Sequence, residues 1–357
     1  MTHGPLHGLR IIEIAGLGPT PFAAMTLADM GAEVLRIERP GAPQLIPQEV
    51  DILNRGRGFV TLDLKSPADN ATARALISQA DALIEGMRPG TMERLGLGPE
   101  DMLAANPRLV YGRMTGWGQH GPRAQTAGHD INYISLTGML HAIGSADAPA
   151  IPLNLLGDFG GGGLYLAFGM VCALLEAQRS GEGQIVDAAI TDGVSHMAAM
   201  IHSLYQSKQW TDKRQSNLLD GAAPFYTTYQ CACGDHVAVG AIEGKFWAAL
   251  LTLLDVTEMP PQMSRRDWPG MRARLAATFA SQTRAHWVQH FAGTDACVTP
   301  VLSIKEALRD PHLTARATFT KHGPEAAPRL SRTPGAAKAA QGETRLDPAE
   351  ILGRWSS

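Results

Sequence analysis

The stretch Leu9-Arg10-Ile11-Ile12-Glu13-Ile14-Ala15, then Gly16-Leu17-Gly18-Pro19, then the run from Thr20 to Met30, closing on Gly31 and Glu33-Val34-Leu35-Arg36-Ile37-Glu38, decides the fold class. Residues 9–15 are an apolar run of strand length, and the Gly/Pro turn ends it. A helix is expected to follow, with Thr20 as N-cap and Pro21 at its first position. Gly31 stops that helix and Glu33–Glu38 reads as a second strand. Two strands joined through a helix are parallel, because the crossover returns the chain to the same end of the sheet.

The same order recurs at Val60–Leu64, the helical pattern Ala68–Ala80 and Ala82–Glu85, and Leu109–Met114 adds another strand. These units make an α/β protein with a Rossmann-like, mostly parallel sheet carrying helices on both faces. Helical segments are expected over 130–142, 159–178 and 191–206, then a polar stretch, 207–220. A second, smaller α/β unit opens with a hairpin, Phe225–Cys231 and His236–Val239, turning at Gly234-Asp235. Helices near 245–254, 271–281 and 285–291, a strand near 297–302 and a helix to Arg309 complete it. Residues 321–347, rich in Ala, Pro, Gly and Arg, read as a surface tail.

The chain has 357 residues, 45% hydrophobic and 18% charged, enough for two domains with ordinary cores. A net charge of -3 argues against nucleic-acid partners. No uninterrupted apolar run of ~20 residues stands out, so no membrane partner is expected. Met1-Thr2-His3-Gly4-Pro5 lacks a basic region leading into an apolar one, so no secretory signal is read. Four scattered cysteines fit a reducing, cytoplasmic setting.

Arginines number 24 against 7 lysines, and Lys65 is the only lysine in the first 200 residues. Guanidinium groups grip phosphate oxygens bidentately. Arg36, Arg39, Arg55, Arg57, Arg88 and Arg94 are therefore candidates for a phosphorylated ligand, beside the plain reading of solvated charge. Gly16-x-Gly18-x-x-Pro21 with Glu38 downstream imitates a dinucleotide fingerprint, but Pro21 stands where the third glycine belongs. Cys231-x-Cys233-x-x-His236 resembles a metal corner without a fourth ligand, and no metal site is assigned. Gly160–Gly163 is suited to close helix packing, or to presenting open N–H groups to an anion. Asp158 reads as an N-cap for the helix after it, and Asp130 as the cap of the helix after His129.

Gly128-His129-Asp130-Ile131-Asn132-Tyr133 and Asn154-Leu155-Leu156-Gly157-Asp158-Phe159-Gly160-Gly161-Gly162 closely resemble the α-methylacyl-CoA racemases, a branch of the family III CoA-transferase superfamily. Arg36-Ile37-Glu38-Arg39-Pro40, Glu85-Gly86-Met87-Arg88-Pro89-Gly90, Met114-Thr115-Gly116-Trp117-Gly118, Gly183-Gln184-Ile185-Val186-Asp187 and Val239-Gly240-Ala241-Ile242-Glu243 extend the likeness along the chain. The resemblance implies a large CoA-binding domain at 1–190, a helical linker at 191–221 and a small α/β domain at 222–305. A second linker, 306–328, and a C-terminal segment, 329–357, returning to the large domain, complete that layout. It also implies an obligate interlocked homodimer.

The activity implied is inversion of the carbon α to a CoA thioester. Such a reaction needs two acid/base groups flanking a planar enolate. The resemblance assigns His129 to the proton of the S substrate and Asp158 to that of the R substrate. Glu243, from the partner's small domain, would hold the histidine. Arg39, Arg88 and Arg94 match positions near the CoA phosphates and adenine, and Tyr133, Gly160 and Gly161 complete the expected substrate site. The Asp158 N–H and the glycine run are the expected enolate donors. No cofactor is expected, since CoA is part of the substrate. The alternative within the superfamily is a CoA-transferase with Asp158 as nucleophile. Gly244 and Lys245 depart from the family, whose racemases often carry proline after the glutamate. Met139, Met197 and Met200 are candidates for a plastic acyl surface.

Overall fold

The computed structural model describes residues 3–42, 46–339 and 345–356; Met1 and Thr2, part of the leader reading, lie outside them. The chain forms two compact units, one of Met1–Met139, Pro152–Ala198 and His312–Ser357, the other of Leu140–Ile151 and Ala199–Pro311.

The first unit begins β1 (Arg10–Ile14), α1 (Pro19–Asp29), β2 (Glu33–Glu38), β3 (Gly58–Thr61), α2 (Pro67–Ser78) and β4 (Ala82–Glu85). After α3 (Thr91–Arg94), α4 (Pro99–Ala105) and β5 (Val110–Thr115) comes α5 (Asp130–Leu136), and α6 (Met139–Ala142) leads into the second unit at Leu140. A π-type segment, Leu155–Leu164, runs into α7 (Tyr165–Ser180), and β6 (Ile185–Ala189) and α8 (Ile190–Met197) follow. The sheet order is β3-β2-β1-β4-β5-β6, and every neighbouring pair is parallel. Strand order therefore reverses between β1 and β4, where open α/β sheets leave a crevice at the carboxyl ends of their strands.

Strands covered on both faces are apolar throughout. Ile11, Ile12, Ile14, Val34, Leu35, Ile37, Leu83 and Ile84 are all buried. The buried charges among them are paired. Arg57 meets Glu13 at 2.5 Å and Arg55 meets Asp29 at 2.5 Å, while Arg36 pairs with Glu38. Arg113 lies between Glu85 (3.1 Å) and Glu93 (2.9 Å). A buried guanidinium needs such a partner, so Arg55 and Arg57 are scaffold residues rather than the phosphate ligands their sequence context suggested.

Several boundaries differ from the sequence reading. Helix α1 starts at Pro19 with Gly18 as its N-cap, two residues ahead of the Thr20 cap expected, and Thr20 is buried. Gly138, at φ +81°, interrupts the expected 130–142 helix between α5 and α6. The 159–178 helix begins earlier, in the π-type segment. Leu155–Ser180 is long and apolar enough to cross a membrane by length and composition, contrary to the sequence reading. Its glycine-rich half nevertheless packs among α1, α5 and α8, as a core helix does.

The second unit contains α9 (Ala199–Gln206), β7 (Tyr226–Gln230), β8 (His236–Gly240), α10 (Gly244–Leu253), α11 (Trp268–Phe279), α12 (Arg284–His290), β9 (Val298–Pro300) and α13 (Ile304–Ala307). Its sheet, β7-β8-β9, is antiparallel, and the hairpin turns at Gly234, φ +85°. Phe225, Tyr229, Trp247, Trp268, Phe279 and Trp287 fill its core.

The chain then makes α14 (Pro311–Ala315), a two-stranded pair of β10 (Phe319–Thr320) and β11 (Gly323–Pro324), and α15 (Pro348–Trp355). Within the first unit, α15 packs on α2. Arg10 donates to the Trp355 carbonyl at 2.6 Å.

Candidate active site

Two segments of the first unit bring the site together. In the first, His129 occupies the N-cap position of α5 in an extended conformation, its backbone N–H donating to Asn132 Oδ1 at 3.1 Å. Tyr133, one turn along, donates its hydroxyl to the Gly128 carbonyl. The Tyr133 ring meets Trp117 edge-on at 4.7 Å. A Cβ on Gly116 would fall 2.0 Å from that ring, so the close approach depends on glycine. These contacts fix the backbone on both sides of His129 and leave the residue itself exposed.

The second segment is the π-type turn carrying Asp158. Glycines 161–163 let it lie flush against its neighbours. A Cβ on Gly161 would fall 2.5 Å from Val194, one on Gly162 would fall 2.9 Å from Ile190, and one on Gly163 would fall 2.7 Å from the Pro19 carbonyl. Of the two roles read for the run, close packing accounts for these three. Gly160 sits half-buried against Met197.

Asp130 does not cap its own helix. It is 8% exposed, and its Oδ2 accepts the Asp158 N–H at 2.6 Å, while the Gly157 N–H also acts on the carboxyl. The Asp158 N–H is thus engaged, and the enolate donor expected there is withdrawn. Nor does Asp158 act as a helix cap. It lies within the segment, whose N-cap position is Asn154.

The carboxyl of Asp158 is held above the ordinary carboxylate range by burial first and then by the Asp130 charge. Asn154 and the His129 imidazole act in the opposite direction. Burial, and then the charge of Asp158, likewise raise the Tyr133 hydroxyl, which Arg88 lowers. His129, Asp158, Tyr133 and Arg88 therefore share one electrostatic neighbourhood. A carboxyl raised by burial within electrostatic reach of an imidazole is a pairing suited to proton transfer in two directions.

A cleft of about 710 Å³ lies along the ends of β1–β4, and none of these four side chains is among its lining residues. Gly16 and Gly18 line it, as do Arg39, Asp63 and Lys65. Asp158 borders it at Gly18, where an added Cβ would lie 2.8 Å from Asp158 Oδ2. Exposed Arg39 lies in the loop after β2. Arg94 lines a neighbouring recess of about 550 Å³ with Lys65 and Arg74. Lys65, which borders both, was missed in the sequence because a single lysine in a turn carries no pattern.

Glu243 belongs to the second unit. It holds the N-cap position of α10 yet its side chain makes no cap bond, and it is exposed. Its charge helps burial raise the nearby Cys297 thiol. Among the described residues no three His, Cys, Asp or Glu side chains gather as a metal site. Cys231 is buried while Cys233 and His236 face outward.

Residues 6–349 match the family model described as CoA-transferase family III, and the chain belongs to that family. Within the family it is 47% identical, over 92% of its own length and 87% of the relative's, to the alpha-methylacyl-CoA racemase of Mus musculus. It is 45% identical over the same shares to the alpha-methylacyl-CoA racemase of Homo sapiens. A CaiB/BaiF family protein from Brucella suis has the same fold, with a TM-score of 0.85, 24% identity, and coverage of 99% of this chain and 100% of that one.

Proposed function

We propose that this protein is an α-methylacyl-CoA racemase, interconverting the R and S forms of 2-methylacyl-CoA thioesters. The observation that carries the reading is the Asp158 carboxyl, raised by burial, within electrostatic reach of His129 and against Gly18 of the cleft. The likeness to the two mammalian racemases supports it.

In this reading the α-proton of the S substrate passes to His129, leaving an enolate, and Asp158 gives its proton to the opposite face. Starting from the R substrate, Asp158 accepts the proton and the imidazolium of His129 donates. Proton and charge balance in both directions, and no cofactor takes part. Arg39 grips the CoA phosphates and Arg88 lies nearer the reacting end, so that binding energy from the distant part of the substrate orients the α-carbon.

The working enzyme is an interlocked homodimer in which Glu243 of the partner subunit orients His129. In support, Leu164 at the end of the π-type segment and Phe168 and Leu175 on α7 leave apolar side chains exposed. The uncapped, exposed Glu243 carboxylate is free of any duty to its own helix. All four cysteines are free thiols, the state maintained in a reducing compartment such as the cytoplasm.

The test is incubation of one enantiomer of a 2-methylacyl-CoA in deuterated water. Inversion with α-deuterium uptake is expected, and its loss in both His129→Ala and Asp158→Ala. Transfer of CoA to a free acid without inversion, together with hydroxylamine trapping of an Asp158 adduct, would replace this reading with the transferase one.

A further inference from the structure

Asp130 is a buried carboxylate that the proton relay does not use. One of its oxygens, Oδ2, accepts the backbone N–H of Asp158 at 2.6 Å, and the Gly157 N–H also acts on the carboxyl. The other, Oδ1, is buried and has no hydrogen-bond donor among the described residues. The approach is so close that a Cβ on Gly157 would fall 2.2 Å from Oδ2. An acidic side chain is thus held against the backbone of the residue proposed to exchange the proton; burial raises its own carboxyl, and the Asp158 and Gly157 N–H groups oppose that by favouring the anion.

We infer that Asp130 is a positioning residue: its Oδ2 pins the turn that aims Asp158, and its charge keeps Asp158 able to hold a proton at working pH. This rests on the racemase reading and deepens it. A two-base inversion starting from the S substrate needs Asp158 protonated, and a half-exposed carboxyl with a free choice would be ionised near neutrality. An adjacent fixed anion opposes that ionisation.

The other charges around the segment leave Asp130 with that role. His129 is the cation acting on Asp158, and it pulls the other way. On α1, Asp29 is paired with Arg55. On α8, Asp192 is exposed and His196 is hydrogen-bonded to Tyr165 at 2.7 Å. On β5, Arg113 is held by Glu85 and Glu93, and on β6 Asp187 accepts the Gln119 N–H.

The geometry supplies its own test. Because the Asp158 N–H goes to Oδ2 while Oδ1 takes no donor among the described residues, Asp130→Asn retains an acceptor for it and removes the charge. In the protein as purified, the acid limb of the kcat/KM profile for inversion is expected to move down by about one pH unit in Asp130→Asn. Asp130→Ala is expected to lose at least tenfold more kcat, because it also frees the turn. A merely structural Asp130 would lower kcat in both variants and leave the limb in place, which would overturn the inference.

A second readout needs no turnover. Titration of the Asp158 carboxyl by carbon-13 NMR, its signal identified by loss in Asp158→Asn, is expected to show the same downward shift in Asp130→Asn. An unmoved titration would refute the role of Asp130 whatever the enzyme's activity. Wild-type protein that fails to invert, but shows the shift, would refute the racemase reading alone.

Discussion

Gly18 offers a direct probe of whether the Asp158 carboxyl must stay where the fold puts it. Gly18 has φ +65° and ψ -112° at the N-cap of α1, a region L-residues rarely enter. A methyl there would lie 2.8 Å from Asp158 Oδ2, about 0.6 Å inside the 3.4 Å at which ordinary contact begins. The carboxyl is the movable end of its side chain, so it rotates away at little cost in stability. The cost to catalysis is larger, since a displacement near 1 Å costs on the order of 100-fold. Gly18→Ala should therefore lose about 10- to 100-fold in kcat for inversion, equivalent to roughly 1.4–2.7 kcal/mol. Gly41→Ala is the matched control. Gly41 lines the same cleft, also has φ +65°, and has nothing within 4 Å of an added Cβ. Both variants should lose about 1–3 kcal/mol of stability in urea unfolding, the backbone cost. Only Gly18→Ala should lose kcat. If its kcat stays within threefold of that of Gly41→Ala, the placement of Asp158 is irrelevant to the chemistry.

Of four further predictions, the first two separate scaffold from site. Arg55→Ala leaves Asp29 buried without its cation and should cost about 3–5 kcal/mol in urea unfolding, with KM for acyl-CoA unchanged; Arg39→Ala should raise KM about tenfold at near-wild-type stability. Gly244→Pro should stabilise the second unit by about 0.4–1 kcal/mol, measured by denaturant midpoint. Its site is the first position of α10, Glu243 before it is already extended (ψ 141°), and the nearest atom to an added Cβ is 4.0 Å away. Burial pushes Glu85 up to about 7 even beside Arg113. The native state then holds a proton between pH 4.5 and about 7 that the unfolded chain has released, so stability should fall as pH rises through that window. The loss is about 3 kcal/mol at most, and Glu85→Gln should flatten the slope in urea unfolding measured across it.

The one-dimensional pattern was enough for five strands of the parallel sheet, the helices α1 and α2 and the hairpin of the second unit, but not for the edge strand β6, whose residues Ile185–Ala189 are half exposed and carry Asp187. Strands buried on both faces must be continuously apolar, as Ile11–Ile14 and Leu83–Ile84 are, and glycines such as Gly31 and Gly234 mark turns by conformations other residues avoid. His129 and Asp158 were legible only through resemblance to a family, because spacing cannot bring residues 29 positions apart into one electrostatic neighbourhood. Tertiary structure decided what each charged residue does. Arg55 and Arg57 look like Arg39 in sequence, yet they are buried on carboxylates while Arg39 lines the cleft. Asp130 looks like the cap of its own helix, yet it serves a turn 27 residues later. Local sequence specifies backbone conformation through sterics and periodicity. The partner of a buried charge is chosen by the packing of distant segments, where the cost of leaving it unpaired is settled.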